Sequence, residues 1–380
     1  MYFTMRITKI YRRTMVIVAA ICIALAFMSF NTTFCDFYTD NIYPYIADTL
    51  GWITSGVEVA VGEIVMYLAI ISLIVLLVMV VLIIFLRKKE RYMRIVKVYL
   101  CVLLGWGMLT MLSYVLNWVI PLRCSGIQAG TEGRSNFTIE EIQSLRNYIV
   151  EQWNECAANI ERDDKGRIVY GTDIEGRVIH AMQRCGETYP RLKGYYPGIK
   201  EAMCSDFLEW MGIAGYTYPF TMEMTNNKYN YAIYEPVLYA HEAAHHKGFY
   251  RESEANFISM ISCMNSGDEI LKYSAYREMY YYVNGEYCRN LMKHMDKKEA
   301  AQMYLEQPQL TDIIFSDESD EEEKAEEQYD SEVNKKLEEA VSGYAEKAAE
   351  TGWETQEKVL DEDNYDGVVL LLLRYYCADR

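Results

Sequence analysis

His241-Glu242-Ala243-Ala244-His245 is a stretch whose residue types and spacing could together do chemistry. Side chains four apart share one face of a helix, so both imidazoles can point at a single Zn2+ while Glu242, one step round, reaches a water bound to it. Such a water is a hydroxide-like nucleophile near neutral pH, with Glu242 as general base and then as proton donor to a leaving amine. The chain has five histidines and three of them fall within residues 241–246, which makes a chance match a minor competitor. His246 reads as a surface or supporting residue, and His180 and His294 as ordinary histidines.

Zinc needs a third protein ligand. Gly248 must turn the chain and bring a following helix back across the first, which makes Glu252 the choice. Glu252 and Asn256 are four apart on one face, so one can bind metal while the other orients His241 through its second ring nitrogen. Glu254 is the competing ligand. Tyr250 is a candidate for stabilising the oxyanion of a tetrahedral intermediate.

These residues require elements to place them. Glu235-Pro236 opens a helix, since proline is at home in a first turn, and Gly248 closes it; a second helix covers Arg251–Asn265. Upstream, Thr138 and Glu141 have the spacing of a capping box ahead of Ile142, Leu145, Ile149 and Trp153. Helices are also expected over Val178–Cys185 and Ile199–Met211. Gly215–Thr225, with Pro219 inside it, reads as one extended stretch that proline confines to a sheet edge, where a peptide substrate could lie or which could simply wall the core. The acidic run Ser316–Gln328 reads as a solvated, mobile linker. Ser331–Arg380 follows as a charged helix and a short apolar run, Val368–Leu373, that docks on the domain.

The front of the chain is of another kind. Ile64–Leu86 and Val98–Ile120 each run 23 residues without a charge, long enough to cross a hydrocarbon core of about 30 Å. Residues 15–34 form a third, weaker span, read as an uncleaved anchor rather than a signal peptide. Lys and Arg stay on the cytoplasmic side. The N-terminus carries four, the Arg87–Lys97 loop six and Asn31–Gly62 none, so the N-terminus is expected inside and everything after Ile120 outside. Trp52 and Trp118 then fall near the outer interface.

Residues 1–122 hold ten Lys and Arg against six Asp and Glu, leaving 27 against 48 for the remainder of a chain of 380 residues with net charge -17. That acidic balance argues against nucleic acid as a partner. Eight of the ten cysteines face outward under this topology and could form four disulfides or stay free and buried; without a Cys-x-x-Cys, no thiolate zinc site is suggested.

The segments Gly215–Thr221, Ala240–Phe249 and Arg251–Phe257 resemble an uncharacterised family of bacterial membrane proteins with three N-terminal spans and an outer zincin-like domain. The resemblance is specific over residues 210–265 and looser at Tyr365–Leu370. Glu252-x-x-x-Asn256 is similar to the ligand helix of gluzincin metallopeptidases, although the gap after His245 is shorter and closer to the glycine turn of metzincins. The resemblance implies a cell-envelope zinc peptidase with no assigned substrate.

The fold expected is a mainly α (α+β, zincin-like) extracytoplasmic domain behind three transmembrane helices. Residues 1–122 form the membrane part, 123–312 the catalytic domain, 313–330 a linker and 331–380 a docked helical segment. The activity expected is hydrolysis of peptide bonds in envelope or extracellular proteins through a zinc-bound water. Ligands are His241, His245 and Glu252, the base is Glu242, and the partners are the lipid bilayer and a peptide or protein substrate. The alternative is a non-catalytic sensor or assembly protein that keeps the zinc.

Overall fold

The structure is a computed structural model that describes residues 2–127, 129, 134, 136–329 and 364–378. It divides into two compact units, Met1–Ser125 with Tyr218–Glu223, and Gly126–Thr217 with Met224–Arg380.

The first unit is helical. Helix α1 (Tyr2–Met28) ends six residues before the expected end of the first span at Phe34, because Asn31 starts a new helix by accepting a hydrogen bond from Phe34 N–H at 2.9 Å. Two helices then occupy the expected loop, α2 (Thr32–Asn41) and α3 (Tyr43–Ser55). They are followed by α4 (Val61–Leu86) and α5 (Glu90–Tyr114), the latter running through a π turn at Val115–Val119 into α6 (Ile120–Leu122). Lys9–Met28, Val61–Leu86 and Glu90–Leu122 are long and apolar enough to cross a membrane, which makes this a membrane-associated chain.

Residues Tyr218–Glu223 fold with these helices. The leading N–H groups of α4 lack an intrahelical partner and Ala60 offers no side-chain cap. Glu223, fully buried, supplies it by accepting from Val61 N–H at 2.9 Å and Gly62 N–H at 2.8 Å. The Tyr218 ring fills the space where Gly62 has no side chain, and Asn117 in the π turn donates to the Pro219 carbonyl at 2.8 Å.

The second unit is also mainly helical. Helix α7 (Ile139–Asn159) opens with the expected capping box of Thr138 and Glu141 and buries Ile142, Leu145, Ile149 and Trp153. After α8 (Ile174–Cys185) comes strand β1 (Ile199–Glu201) and the short α9 (Ser205–Trp210), where sequence periodicity suggested one helix. A strand wins there because β1 gains a parallel partner. The expected extended stretch is likewise a hairpin of β2 (Gly215–Thr217) and β3 (Met224–Asn226), with Thr217 opposite Met224. Between them, Pro219 cannot extend a ladder and Met222 reverses the chain at φ 56°. The sheet order is β1-β3-β2, parallel then antiparallel, which leaves β2 at an edge.

Helices α10 (Glu235–His246), α11 (Glu252–Met264) and α12 (Glu269–His294) build the core with α7 and α8. Then come α13 (Lys297–Leu305), α14 (Asp312–Tyr329) and α15 (Asn364–Ala378). Val368, Val369 and Leu371–Leu373 of α15 are buried in that core against α11, α12 and α7. The charged helix expected from Ser331 lies outside the described residues. All ten cysteines are free thiols.

The acidic run departs most from its reading as a mobile linker. It is helix α14, and its inner face is paired. Asp317 is buried and takes two hydrogen bonds from Arg162 at 2.6 and 2.8 Å and one from Tyr273 at 2.8 Å. Glu318 pairs with Arg277, and the buried Glu321 accepts from Ala232 N–H. A run of acids looks solvated in sequence because its cationic partners lie some 40 to 155 residues away.

Removing one partner of such a buried pair leaves the other without compensation, at a cost of about 3–5 kcal/mol. Asp317→Ala is therefore expected to destabilise the detergent-solubilised chain by about 3 kcal/mol, whereas Glu323→Ala, exposed on the same helix, should change stability by less than about 0.5 kcal/mol. Denaturant unfolding checks both.

Candidate metal centre

The histidine pair sits on the last two turns of α10, with His245 in the final turn. Gly248, at φ 88°, reverses the chain, and Phe249 N–H returns to the Ala244 carbonyl at 3.1 Å. Buried Phe249 and Tyr250 pin the reversal to the core, and α11 begins at Glu252. A carboxylate in a helix's first turn is favoured by the helix dipole.

The result is a three-residue cluster. His241 Nε2 lies 3.3 Å from one Glu252 oxygen and His245 Nε2 lies 3.6 Å from the other. One ligand atom from each of the three can be chosen so that all lie within 4.8 Å of one another, and it is the cluster of metal-binding type found among the described residues. The two rings meet edge to face with centroids 4.5 Å apart. His245 Nδ1 is 2.8 Å from the Phe249 carbonyl, which assigns the proton to Nδ1 and turns Nε2 to the cluster. His241 and Glu252 are half-buried while His245 is buried, so the cluster has an open side.

Fit to a metal can be tested on these distances. A tetrahedral ion with ligand bonds of about 2.0–2.1 Å holds its ligand atoms about 3.4 Å apart; the two imidazoles lie 3.3 and 3.6 Å from different oxygens of Glu252, and one atom from each residue lies within 4.8 Å of the others, a set that an inward shift of the side chains would bring to that spacing. Two imidazoles and one carboxylate are a donor set that suits zinc and leaves one position for another ligand.

The electrostatics tie the three groups to one another. Burial works against a charged imidazole at His245, but Glu252, with Glu242 and the Phe249 carbonyl, outweighs it and pushes His245 up to about 9. Burial likewise opposes ionisation of Glu252, yet His245 and His241 hold its carboxyl well below the usual range. Glu252 is thus held as a carboxylate against a cationic His245.

Glu242 stands apart from this set. Its Oε2 accepts the Thr217 hydroxyl of β2 at 2.7 Å, and the same hydroxyl lies 3.1 Å from the Glu242 carbonyl. Its Oε1 faces Gly215: a Cβ there would sit 3.2 Å from that oxygen and 2.7 Å from the Thr225 carbonyl, so only glycine lets β2 come this close. Burial pushes the Glu242 carboxyl up, partly offset by His245, His241 and Thr217. Neither Thr217 nor Gly215 is visible as a site residue in the sequence, because the segment that carries them has no chemical signature of its own.

The remaining candidates separate. Glu254 faces away, its carboxylate accepting Ile127 N–H at 2.9 Å and Arg251 at 3.1 Å. Asn256 donates to the Tyr282 hydroxyl at 3.1 Å rather than to His241. Tyr250 is fully buried and stacks on His245 with planes 16° apart, a placement that holds the imidazole rather than one that reaches a reacting group. His246 is buried beside Tyr196, and His180 and His294 are exposed, none of them in the cluster.

No curated protein and no solved structure matches the chain. One family model does, over residues 38–359, which includes the second and third spans, the cluster and α14. The chain belongs to that family, described as a protein of unknown function (DUF3810).

Proposed function

We propose that this protein is a membrane-anchored, zinc-dependent metallopeptidase with a zincin-like site that hydrolyses peptide bonds of envelope or extracellular proteins. The observation that carries the proposal is the convergence of the His241, His245 and Glu252 ligand atoms to within 4.8 Å of one another, beside a carboxylate that is kept out of the set. In this reading the N-terminus is cytoplasmic and the second unit faces outward, as the basic Arg87–Lys97 loop supports.

Zinc, when bound by these three residues, would acidify a water and polarise the scissile carbonyl. The chain's own residues do the rest. Thr217 occupies Glu242 Oε2 and leaves Oε1 to take a proton from the attacking water and pass it to the leaving amine. Burial raises the Glu242 carboxyl toward the range in which a group can both take and release a proton near neutral pH. Strand β2 is the edge strand of the sheet beside Glu242, where an extended peptide backbone would lie.

The first test is metal content and cleavage of a mixed peptide library by the full-length chain. About one zinc per chain is expected, lost in His241→Ala and Glu252→Ala and kept in Glu254→Ala and Glu242→Gln. Cleavage should fall by about 10²–10⁴-fold in Glu242→Gln. Absence of zinc, or cleavage that survives in Glu242→Gln, overturns the mechanism; zinc without cleavage would favour the sensor or assembly reading.

Thr217→Val should lower the rate about 10–100-fold with zinc retained, and Thr217→Ser should restore it. Full activity in Thr217→Val would remove Thr217 from the site.

A pH dependence follows from His245. Its proton must leave before metal binds, so affinity is depressed below the raised value near 9 and relieved above it. Apparent zinc affinity in a chelator-buffered titration should rise about tenfold per pH unit between pH 7 and 9 and then level off. An ordinary histidine would give a plateau from about pH 6.5.

A further inference from the structure

Helices α2 and α3 occupy the stretch expected as an outer loop with Trp52 near the interface, and their exposed surfaces are more apolar than water favours. On α3, Tyr43, Ala47, Gly51 and Thr54 are buried within the first unit. The opposite stripe is Tyr45, Thr49, Trp52 and Ile53, with Tyr45, Trp52 and Ile53 exposed by 77%, 68% and 59%. A helix in water buries one apolar face and turns charge outward; α3 carries a single charged residue, the half-buried Asp48. On α2, Cys35, Tyr38 and Thr39 face inward and Phe37 outward, 58% exposed, and Ile42 at the joint is also exposed.

The ends of this pair decide what covers that face. Helix α1, a candidate span, ends at Met28 and α2 begins at Thr32; α3 ends at Ser55 and the span α4 begins at Val61. Connections this short reach at most about 20 Å, so α2 and α3 are tethered to the end of a span on both sides. Beside α2 is an open groove of about 610 Å³ lined by Met28, Asn31, Thr33, Phe34 and Phe37, which continues the apolar surface of α1 onto α2. Tryptophan and tyrosine are the side chains that favour the headgroup level.

We propose that α2 and α3 form an interfacial hairpin whose outer face, Phe37, Tyr45, Trp52 and Ile53, is seated among the phospholipids of the leaflet where α1 ends and α4 begins. The occupant is the acyl boundary rather than an anionic headgroup. Residues 31–62 contain no Lys or Arg and do contain Asp36, Asp40, Asp48 and Glu58, so insertion rests on apolar area and not on attraction to negative lipid.

The test reconstitutes the full-length chain in nanodiscs of phosphatidylcholine with or without brominated acyl chains. The fluorescence difference between wild type and Trp52→Phe isolates Trp52, and Phe37→Trp in the Trp52→Phe background reports on α2. Both signals should be blue-shifted, reduced by about half or more by bromolipid, inaccessible to iodide, and unchanged when phosphatidylglycerol replaces part of the lipid. Quenching by iodide and not by bromolipid would place the hairpin in water. Quenching by neither would mean that protein covers the face, and either result overturns the proposal.

Discussion

The candidate site depends on one short reversal of the chain, between His245 and Glu252. Six residues separate them, and in that length the backbone must leave α10, turn, and begin α11 with a carboxylate facing the imidazoles it has just passed. Gly248 makes the turn at φ 88°, a conformation that costs a residue with a Cβ roughly 1 kcal/mol or more. The Phe249 carbonyl then returns to His245 Nδ1, so the reversal both places Glu252 and fixes the ring it faces. Tyr250, stacked on His245, closes the other side. A longer loop could bring Glu252 to the same place, but it would not use its own backbone to set the histidine.

The same packing separates two acids that lie close together. Glu252 is ionised by its neighbours, since His241 and His245 outweigh the cost of burial. Glu242 is buried and held by a neutral hydroxyl from the sheet, and burial outweighs the pull of His245, His241 and that hydroxyl, so its proton is held more tightly. Two carboxylates ten residues apart in the chain thereby acquire opposite protonation preferences, as the proposed ligand and proton carrier would require. The three-stranded sheet is small, but it places Thr217 over α10 and allows, through Gly215, the close approach that this division needs.

What was legible in the sequence was local. The Thr138 and Glu141 capping box, the start at Glu235-Pro236, the stop at Gly248 and the apolar length of the spans are each written within a few residues, and each marks an element of the structure. The pairing of Glu252 rather than Glu254 with the histidines was also within reach, since it follows from where α11 must begin. What was not legible depends on distant partners. Helix α14 is ordered by Arg162 and Arg277, Asn256 is taken by Tyr282 from α12, and the split of Gly215–Thr225 into two strands requires β1 and the reversal at Met222. Thr217 is the sharpest case, for its role is defined only by the carboxylate it meets 25 residues later.

Burial patterns sort the helices by solvent in a way that composition averages away. Helix α7 is amphipathic in the ordinary sense, apolar on the face that holds Ile142, Ile149 and Trp153 and polar elsewhere. Helix α4 is apolar all round and buries almost none of that surface in protein, a surface suited to a bilayer. Helix α3 falls between them. It is too short to span, at 13 residues, yet apolar on two opposite faces, one packed and one bare. Its inner face has the first unit as solvent, and its outer face needs one that is neither protein nor water. Glu223, capping α4 at the end of the span that α3 leads into, keeps that entry point fixed, because a helix of 26 residues that began without its leading N–H groups satisfied would carry the cost at the edge of the membrane, where water to replace the partner becomes scarce.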